Sequence, residues 1–157
     1  MRIGFGNDIH RLEPDKPLIL GGVEIPSEFG AVGHSDADAL FHAVTDAILG
    51  ALALGDIGSH FPDTDKRWKD AESLIFLREA IRLMKEKNYE TENVDSVISL
   101  EKPRLHTFIK KMRENLAKEL EVGLDQVSIK AKTGEGLDAV GENRAIKAEA
   151  CILLSKT

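Results

Sequence analysis

Apolar and polar positions along this chain change their period several times, and each change predicts an element. Arg2 to Asn7 reads as an opening strand, and Leu18-Ile19-Leu20 with Val23-Glu24-Ile25 around Gly21-Gly22 reads as a short β-hairpin. Leu40, Ala43, Val44, Ala47 and Ile48 then recur at helical spacing and predict a helix from about Asp36 to Leu52. Ser35 and Asp38 form a capping box at its start, with aspartate in place of glutamate. After a polar loop from Gly55 to Asp65, a second helix shows Leu74, Leu77, Ile81 and Met84 on one face, with Asp70 as its expected N-cap. Val94 to Leu100 reads as a strand, and Pro103 punctuates it. Leu105, Phe108, Ile109, Met112, Leu116 and Leu120 mark a third amphipathic helix. Gln126 to Lys132 and Ala145 to Ser155 read as closing strands. Strands and helices interleave without a repeat or a linker, so residues 1–157 are expected to form one domain. Its class is α/β or α+β, with a helix-covered sheet.

Composition narrows the function. A chain of 157 residues buries roughly 70% of its unfolded surface and needs no covalent staple. Cys151 is the single cysteine, which fits a reducing cytoplasm. No apolar leader precedes Arg2, and no run approaches the length of about 18 apolar residues that spanning requires, so a soluble cytoplasmic protein is expected. A net charge of −6 argues against a nucleic-acid partner, whose backbone is usually met by a clustered basic surface. It leaves room for a small phosphorylated substrate held by metal ions, helix N-termini and a few placed cations.

The chemistry begins at Asp8-Ile9-His10. Residues two apart on an extended segment point to one side, so Asp8 and His10 can grip one ion, and a helix crossing that face can supply His42. Two imidazoles and a carboxylate suit Zn²⁺, and three protein ligands leave a position open, as in catalytic rather than structural sites. Alone, the Asp-x-His pair is weak evidence and reads more readily as a strand-end hydrogen bond. Asp38 and Asp46, one turn either side of His42, are placed to orient its free ring nitrogen. His34 and Ser35 stand at the helix entrance, where free N–H groups favour a phosphate. Asp56 with Gly58, and Asp63 within Phe61-Pro62-Asp63-Thr64-Asp65, offer acceptors for substrate hydroxyls or form ordinary aspartate turns. Thr133-Gly134-Glu135-Gly136 offers a hydroxyl and a carboxylate to a hard divalent cation on a diphosphate, or is a plain glycine turn. Lys132, Arg104 and Arg144 are candidate phosphate cations. His60, His106 and Trp68 receive no chemical role.

Together these segments resemble the 2-C-methyl-D-erythritol 2,4-cyclodiphosphate synthase family of non-mevalonate isoprenoid biosynthesis. The matching stretches are Asp8-x-His10, Gly21-Gly22-Val23, His34-Ser35-Asp36 through His42, Thr45-Asp46-Ala47, Ala53 through Gly58, Phe61 through Asp65, Asn93-Val94-Asp95, Lys130-Ala131, and Thr133 with Glu135. The resemblance implies an α+β fold with a mixed four-stranded sheet, covered by helices on one face. It implies a homotrimer whose sheets pack around a three-fold axis, with active sites between subunits. It also implies the reaction: the 2-phosphate of 4-diphosphocytidyl-2-C-methyl-D-erythritol 2-phosphate attacks the β-phosphorus, closing a cyclic diphosphate and releasing CMP.

In that scheme Asp8, His10 and His42 hold Zn²⁺, and a second ion, Mg²⁺ or Mn²⁺, lies near Glu135. His34, Ser35, Thr133 and Glu135 surround the reacting phosphates. Asp56, Ile57 and Gly58, with Phe61, Pro62, Asp63 and Asp65, bound the methylerythritol side. Leu100, Pro103, Arg104, Leu105, Ala131, Lys132 and Thr133 come from the neighbouring subunit around cytidine. Two departures stand out. Lys132 replaces a common threonine, and Glu142 replaces an arginine that lines the trimer axis, which predicts weak or no axial binding of isoprenoid diphosphates. The same ligand set would also serve a zinc-dependent phosphohydrolase, or a non-catalytic, metal-stabilised trimeric binding module.

Overall fold

The computed structural model describes residues 1–62 and 64–157. In chain order its elements are β1 (Arg2–Pro14), β2 (Leu18–Leu20), β3 (Val23–Ile25), β4 (Phe29–Val32), α1 (Ala39–Ala51), α2 (Ile57–His60), α3 (Ser73–Glu86), β5 (Tyr89–Ser99), α4 (Ile109–Leu120), β6 (Val127–Lys132), α5 (Asp138–Gly141) and β7 (Ala145–Lys156), with short 3₁₀ turns at Lys66–Trp68 and Leu124–Gln126. The sheet is five-stranded in the order β4-β1-β7-β5-β6, and β2 pairs with β3 as a separate hairpin. Among the described residues only β5 and β6 run parallel, so the class is mixed α+β.

This corrects the expected four-stranded sheet. The additional strand is β4, and it exists because β1 runs on past Asn7 to Pro14, giving Phe29–Val32 a partner at Arg11–Pro14. The polar stretch Asp8-Ile9-His10-Arg11 breaks the apolar pattern that marks a strand, so its extended conformation is imposed by pairing with β7 and β4.

Alternation along β1 decides where the site forms. Gly4, Gly6, Asp8, His10 and Leu12 face the helices, whereas Ile3, Phe5 and Ile9 project from the opposite face and stay exposed. Helix α1 lies directly on β1. A Cβ built on Gly4 would stand 1.8 Å from the Ala47 carbonyl oxygen, and one on Gly6 would stand 2.1 Å from that of Ala43. Two glycines therefore permit a helix-to-strand approach that any side chain would forbid, and the residues that follow them on the same face meet α1 at His42. Almost every residue of α1 is buried, because the sheet covers one side and α3 another. Helices α3 and α4 complete the layer over β5 and β6.

The N-terminus of α1 differs from expectation. The helix starts at Ala39, and its cap is Asp38, whose Oδ1 accepts from Phe41 N at 3.1 Å, while Ser35 lies outside the helix. Asp38 also accepts from Gly21 N at 3.0 Å and Gly22 N at 2.8 Å, so one fully buried carboxylate ties the β2–β3 turn to the helix. Burial pushes its pKa up to about 6, although all three backbone donors oppose the shift. Asp70 is not a cap either: α3 begins after Glu72, and the Asp70 N–H instead donates to the His34 carbonyl at 2.8 Å.

Candidate active site

Strand β1 and helix α1 bring three donor atoms to one point. Asp8 Oδ2 lies 2.7 Å from His10 Nε2 and 3.1 Å from His42 Nδ1, and the two ring nitrogens are 3.2 Å apart. One ligand atom from each of the three side chains lies within 4.8 Å of the other two. The other His10 nitrogen, Nδ1, donates to the Val32 carbonyl of β4 at 3.1 Å, which leaves Nε2 as a lone pair facing inward. Burial opposes ionising Asp8, but the hydrogen bonds and charges of His10 and His42 hold its carboxyl well below the ordinary carboxylate range. Burial likewise disfavours a charged His10, yet Asp8 and the Val32 carbonyl raise its pKa above the ordinary 6.5. Nitrogen lone pairs converging on a carboxylate call for a proton or a metal between them. Two imidazoles and one carboxylate fit Zn²⁺ better than a hard, oxygen-preferring ion.

The expected carboxylate behind His42 is absent from that position. Asp38 is spent on the hairpin and the helix cap, and Asp46 Oδ1 accepts from Ile57 N at 2.7 Å. Burial raises the Asp46 pKa, with the Ile57 N–H working against it. The His42 Nε2 faces hydroxyls instead, Ser73 Oγ at 2.7 Å and Ser35 Oγ at 3.1 Å. Ser73 was not legible as a site residue, since in the sequence it is only a polar residue before a helical run.

Beside the cluster lies a cavity of about 170 Å³, lined by His10, His34, Ser35, His42, Ile57, Gly58, Phe61, Trp68 and Phe76. His34 Nε2 is buried there with no partner among the described residues. Phe61 stacks on Phe76 at 4.6 Å between ring centroids and meets the edge of Trp68 at 5.2 Å, so Trp68, given no role from sequence, forms part of the wall. Asp56 caps the short helix α2 through Ser59 N at 2.8 Å and Ser59 Oγ at 2.6 Å, and those bonds lower its pKa. Asp65 caps the 3₁₀ turn and pairs with Arg67. Pro62 is exposed, and the expectation for Asp63 lies outside the described residues.

The remaining candidates assemble elsewhere. Leu100 N donates to the Lys132 carbonyl at 2.9 Å, Gly134 N donates to Glu101 at 3.0 Å, and Thr133 Oγ1 donates to Glu135 at 2.8 Å. Leu100 and Leu105 are buried, whereas Arg104, Ala131, Lys132 and Glu135 are exposed at the end of the β5–β6 pair, with Pro103 and Thr133 half-buried beside them. Asp8 pairs with Ala148, Ala148 with Ile98, and Ile98 with Ala131. Three strand spacings, about 14 Å, thus separate the two groups along one row of the sheet.

Fold and cluster define a small α+β protein able to hold a metal ion at the edge of a polar and aromatic cavity. Residues 1–155 match the model of the YgbB family, and the chain belongs to that family. It is similar to the 2-C-methyl-D-erythritol 2,4-cyclodiphosphate synthase of Brachyspira hyodysenteriae (strain ATCC 49526 / WA1), with 53% identity over 100% of this chain and 99% of the relative. The protein of the same name from Solibacter usitatus (strain Ellin6076) is 54% identical over 99% of this chain and 98% of its own. A solved 2C-methyl-D-erythritol-2,4-cyclodiphosphate synthase in a CDP-bound form superposes with a TM-score of 0.92 at 44% identity, covering 98% of this chain and 100% of that one.

Proposed function

We propose that this chain is a metal-dependent cyclodiphosphate synthase of non-mevalonate isoprenoid biosynthesis. It converts 4-diphosphocytidyl-2-C-methyl-D-erythritol 2-phosphate to 2-C-methyl-D-erythritol 2,4-cyclodiphosphate and CMP. The observation that carries this reading is the convergence of Asp8, His10 and His42 beside the cavity, in a chain about half identical to synthases over its whole length. Zn²⁺ on Asp8, His10 and His42, and Mg²⁺ or Mn²⁺ near Glu135, would neutralise diphosphate charge and polarise the phosphorus under attack.

The protein's own residues supply position. An oxygen of the 2-phosphate forms the new bond to the β-phosphorus, and the bond from that phosphorus to the bridging oxygen breaks, so CMP leaves with the electron pair. No side chain is needed as a nucleophile. His34 and Ser35, which line the cavity, are placed to hold phosphate oxygens in line, where orientation alone is worth several kcal/mol. Asp56, Ile57 and Gly58, on the turn that Asp46 fastens, receive the methylerythritol hydroxyls, and Phe61, Pro62, Asp63 and Asp65 bound that side. Leu100, Pro103, Arg104, Leu105, Ala131, Lys132 and Thr133 form the cytidine and phosphate side of a neighbouring subunit's site. The homotrimer this requires is supported by the uncovered sheet face, where Ile3, Phe5 and Ile9 are 70%, 61% and 60% exposed. The name of the CDP-bound relative supports a cytidine nucleotide as ligand. Cytoplasmic placement accords with the free Cys151. Among the described residues no helix is long and apolar enough to cross a membrane.

Product analysis tests the reading. Phosphorus NMR of a complete turnover is expected to show CMP and a cyclic diphosphate in equal amounts. CMP with an open-chain bisphosphate would identify a hydrolase, and no turnover by the metal-loaded protein would identify a binding module.

A further inference from the structure

Resting on the reading of Asp8, His10 and His42 as a metal site, we infer that Ser73 and Asp36 form a relay that sets the ring orientation and tautomer of His42. His42 has two ring nitrogens, and only one tautomer presents Nδ1 to the cluster as a lone pair. That tautomer carries its proton on Nε2, which needs an acceptor. Ser73 Oγ stands 2.7 Å away, in a residue with no exposed surface. A hydroxyl can accept there only if its own proton goes elsewhere, and the Asp36 carboxylate takes it through a short contact. The direction of the chain is thereby fixed: His42 Nε2–H donates to Ser73 Oγ, and Ser73 Oγ–H donates to Asp36.

Ser73 has no capping duty, and beyond His42 and Asp36 its hydroxyl lies 3.4 Å from Ser35 Oγ, a longer contact than either. It opens α3, but the cap position is Glu72, and no side-chain bond caps that helix. Its hydroxyl points away from its own helix, toward α1 and the loop before it. Asp36 is held in turn, because its Oδ1 also accepts from Asp38 N at 3.2 Å. Ser35 Oγ, 3.1 Å from the same nitrogen, is the longer second acceptor and already takes the Ala37 N–H at 3.3 Å. Groups that orient a metal-bound imidazole are commonly worth about 10–100-fold in metal affinity. Ser73 and Asp36 are positioning residues, acting on the site through His42.

Zinc dissociation constants of the full-length protein, measured by chelator competition, test the relay together with the NMR signal of the His42 Nε2 proton in the zinc-loaded state. Ser73→Ala and Asp36→Ala are expected to weaken zinc binding about 10–100-fold while circular dichroism stays unchanged, with a smaller loss in Ser35→Ala. In Ser73→Ala the Nε2 proton is expected to move upfield and exchange faster with water, a change that a purely structural role for Ser73 would not cause. Zinc binding lost in His42→Ala but kept within about twofold in a folded Ser73→Ala, with the Nε2 signal unmoved, overturns the relay alone. Equal zinc binding by His42→Ala and the unsubstituted protein overturns the metal site itself. Should Ser73→Ala not fold, the unsubstituted protein still decides: a missing cross-peak between the His42 Nε2 proton and the Ser73 β-protons sinks the proposal.

Discussion

Asp8 Oδ2 and His10 Nε2 stand 2.7 Å apart, so a proton and a metal ion compete for the same lone pair. The sign follows from the shift. His10 titrates above 6.5, which means that the metal-free protein gains stability from the His10–Asp8 pair at low pH and loses it as pH rises through the raised value. Metal binding runs the other way, because the ion must displace that proton. Zinc affinity is therefore expected to fall by about tenfold per pH unit below the His10 pKa and to level off above it, as isothermal titration across a pH series will read. Asp38 makes a second residue-scale case. Asp38→Asn turns an acceptor into an NH₂ group toward Gly22 N–H, and the lost bond is expected to cost about 1–3 kcal/mol. A buried carboxyl with its pKa raised from 3.8 to about 6 stabilises the fold when protonated, so that contribution is present below about 4 and disappears as pH passes about 6. Urea melts of both proteins on either side of that window should show this pH dependence in the unsubstituted chain and its absence in the variant.

At the scale of elements, the approach of α1 to β1 creates the cluster, and Gly4 and Gly6 permit it. Gly6→Ala places a Cβ against backbone, 2.1 Å from the Ala43 oxygen, where no side-chain rotation relieves the clash. The variant is expected to lose about 3 kcal/mol or more and, because α1 must lift, to bind zinc less tightly. Denaturation midpoints and zinc affinity should fall together, and a loss of stability with unchanged affinity would show that α1 keeps its place by another adjustment. The periodicity of α1 was legible from Leu40, Ala43, Val44, Ala47 and Ile48, and so was the hairpin at Leu18–Ile25. The start of α1 was displaced because Ser35 and Asp38 are equally good caps in sequence. Only the nearby turn at Gly21-Gly22, with two N–H groups needing acceptors, selects Asp38.

For the whole molecule, the proposed trimer with shared sites predicts complementation between subunits, since Thr133 and Glu135 lie apart from the Asp8, His10 and His42 cluster along the sheet. His42→Ala and Thr133→Ala are each expected to be inactive or nearly so, and co-refolded mixtures should recover partial activity, since some interfaces then combine two intact halves. No recovery in trimers shown by mass spectrometry to be mixed would place the complete site within one chain. The axial region carries the last expectation. Arg144 Nε donates to Glu142 at 2.7 Å, so the cation nearest in sequence is already paired with the carboxylate that replaces the family's arginine. In the proposed trimer three such pairs around the axis would leave little net positive charge for an isoprenoid diphosphate. Titration calorimetry with geranyl diphosphate, with CDP blocking the active sites, should detect weak binding or none. Tight binding that vanishes in Arg144→Ala would mean that Arg144 leaves Glu142 for the ligand.

The convergence of Asp8, His10 and His42 was readable from sequence because its basis is local: Asp8 and His10 share a face by the two-residue period of a strand, and His42 sits on a helix marked by its own apolar repeat. What lay behind those side chains was not readable. The Val32 carbonyl, the Ser73 hydroxyl and the Asp46 bond to Ile57 join residues 11 to 37 positions apart, through single hydrogen bonds that leave no periodic trace. Asp38 and Asp46 appeared from helical spacing to be the groups that orient His42, yet each carboxylate went to unpaired backbone N–H groups nearby. Strand β4 likewise existed only once β1 supplied a partner edge. Side-chain periodicity is a property of the chain itself and survives without the fold. The partner of a buried polar group depends on which elements come to lie side by side, and packing of α1 and α3 on the sheet decided that.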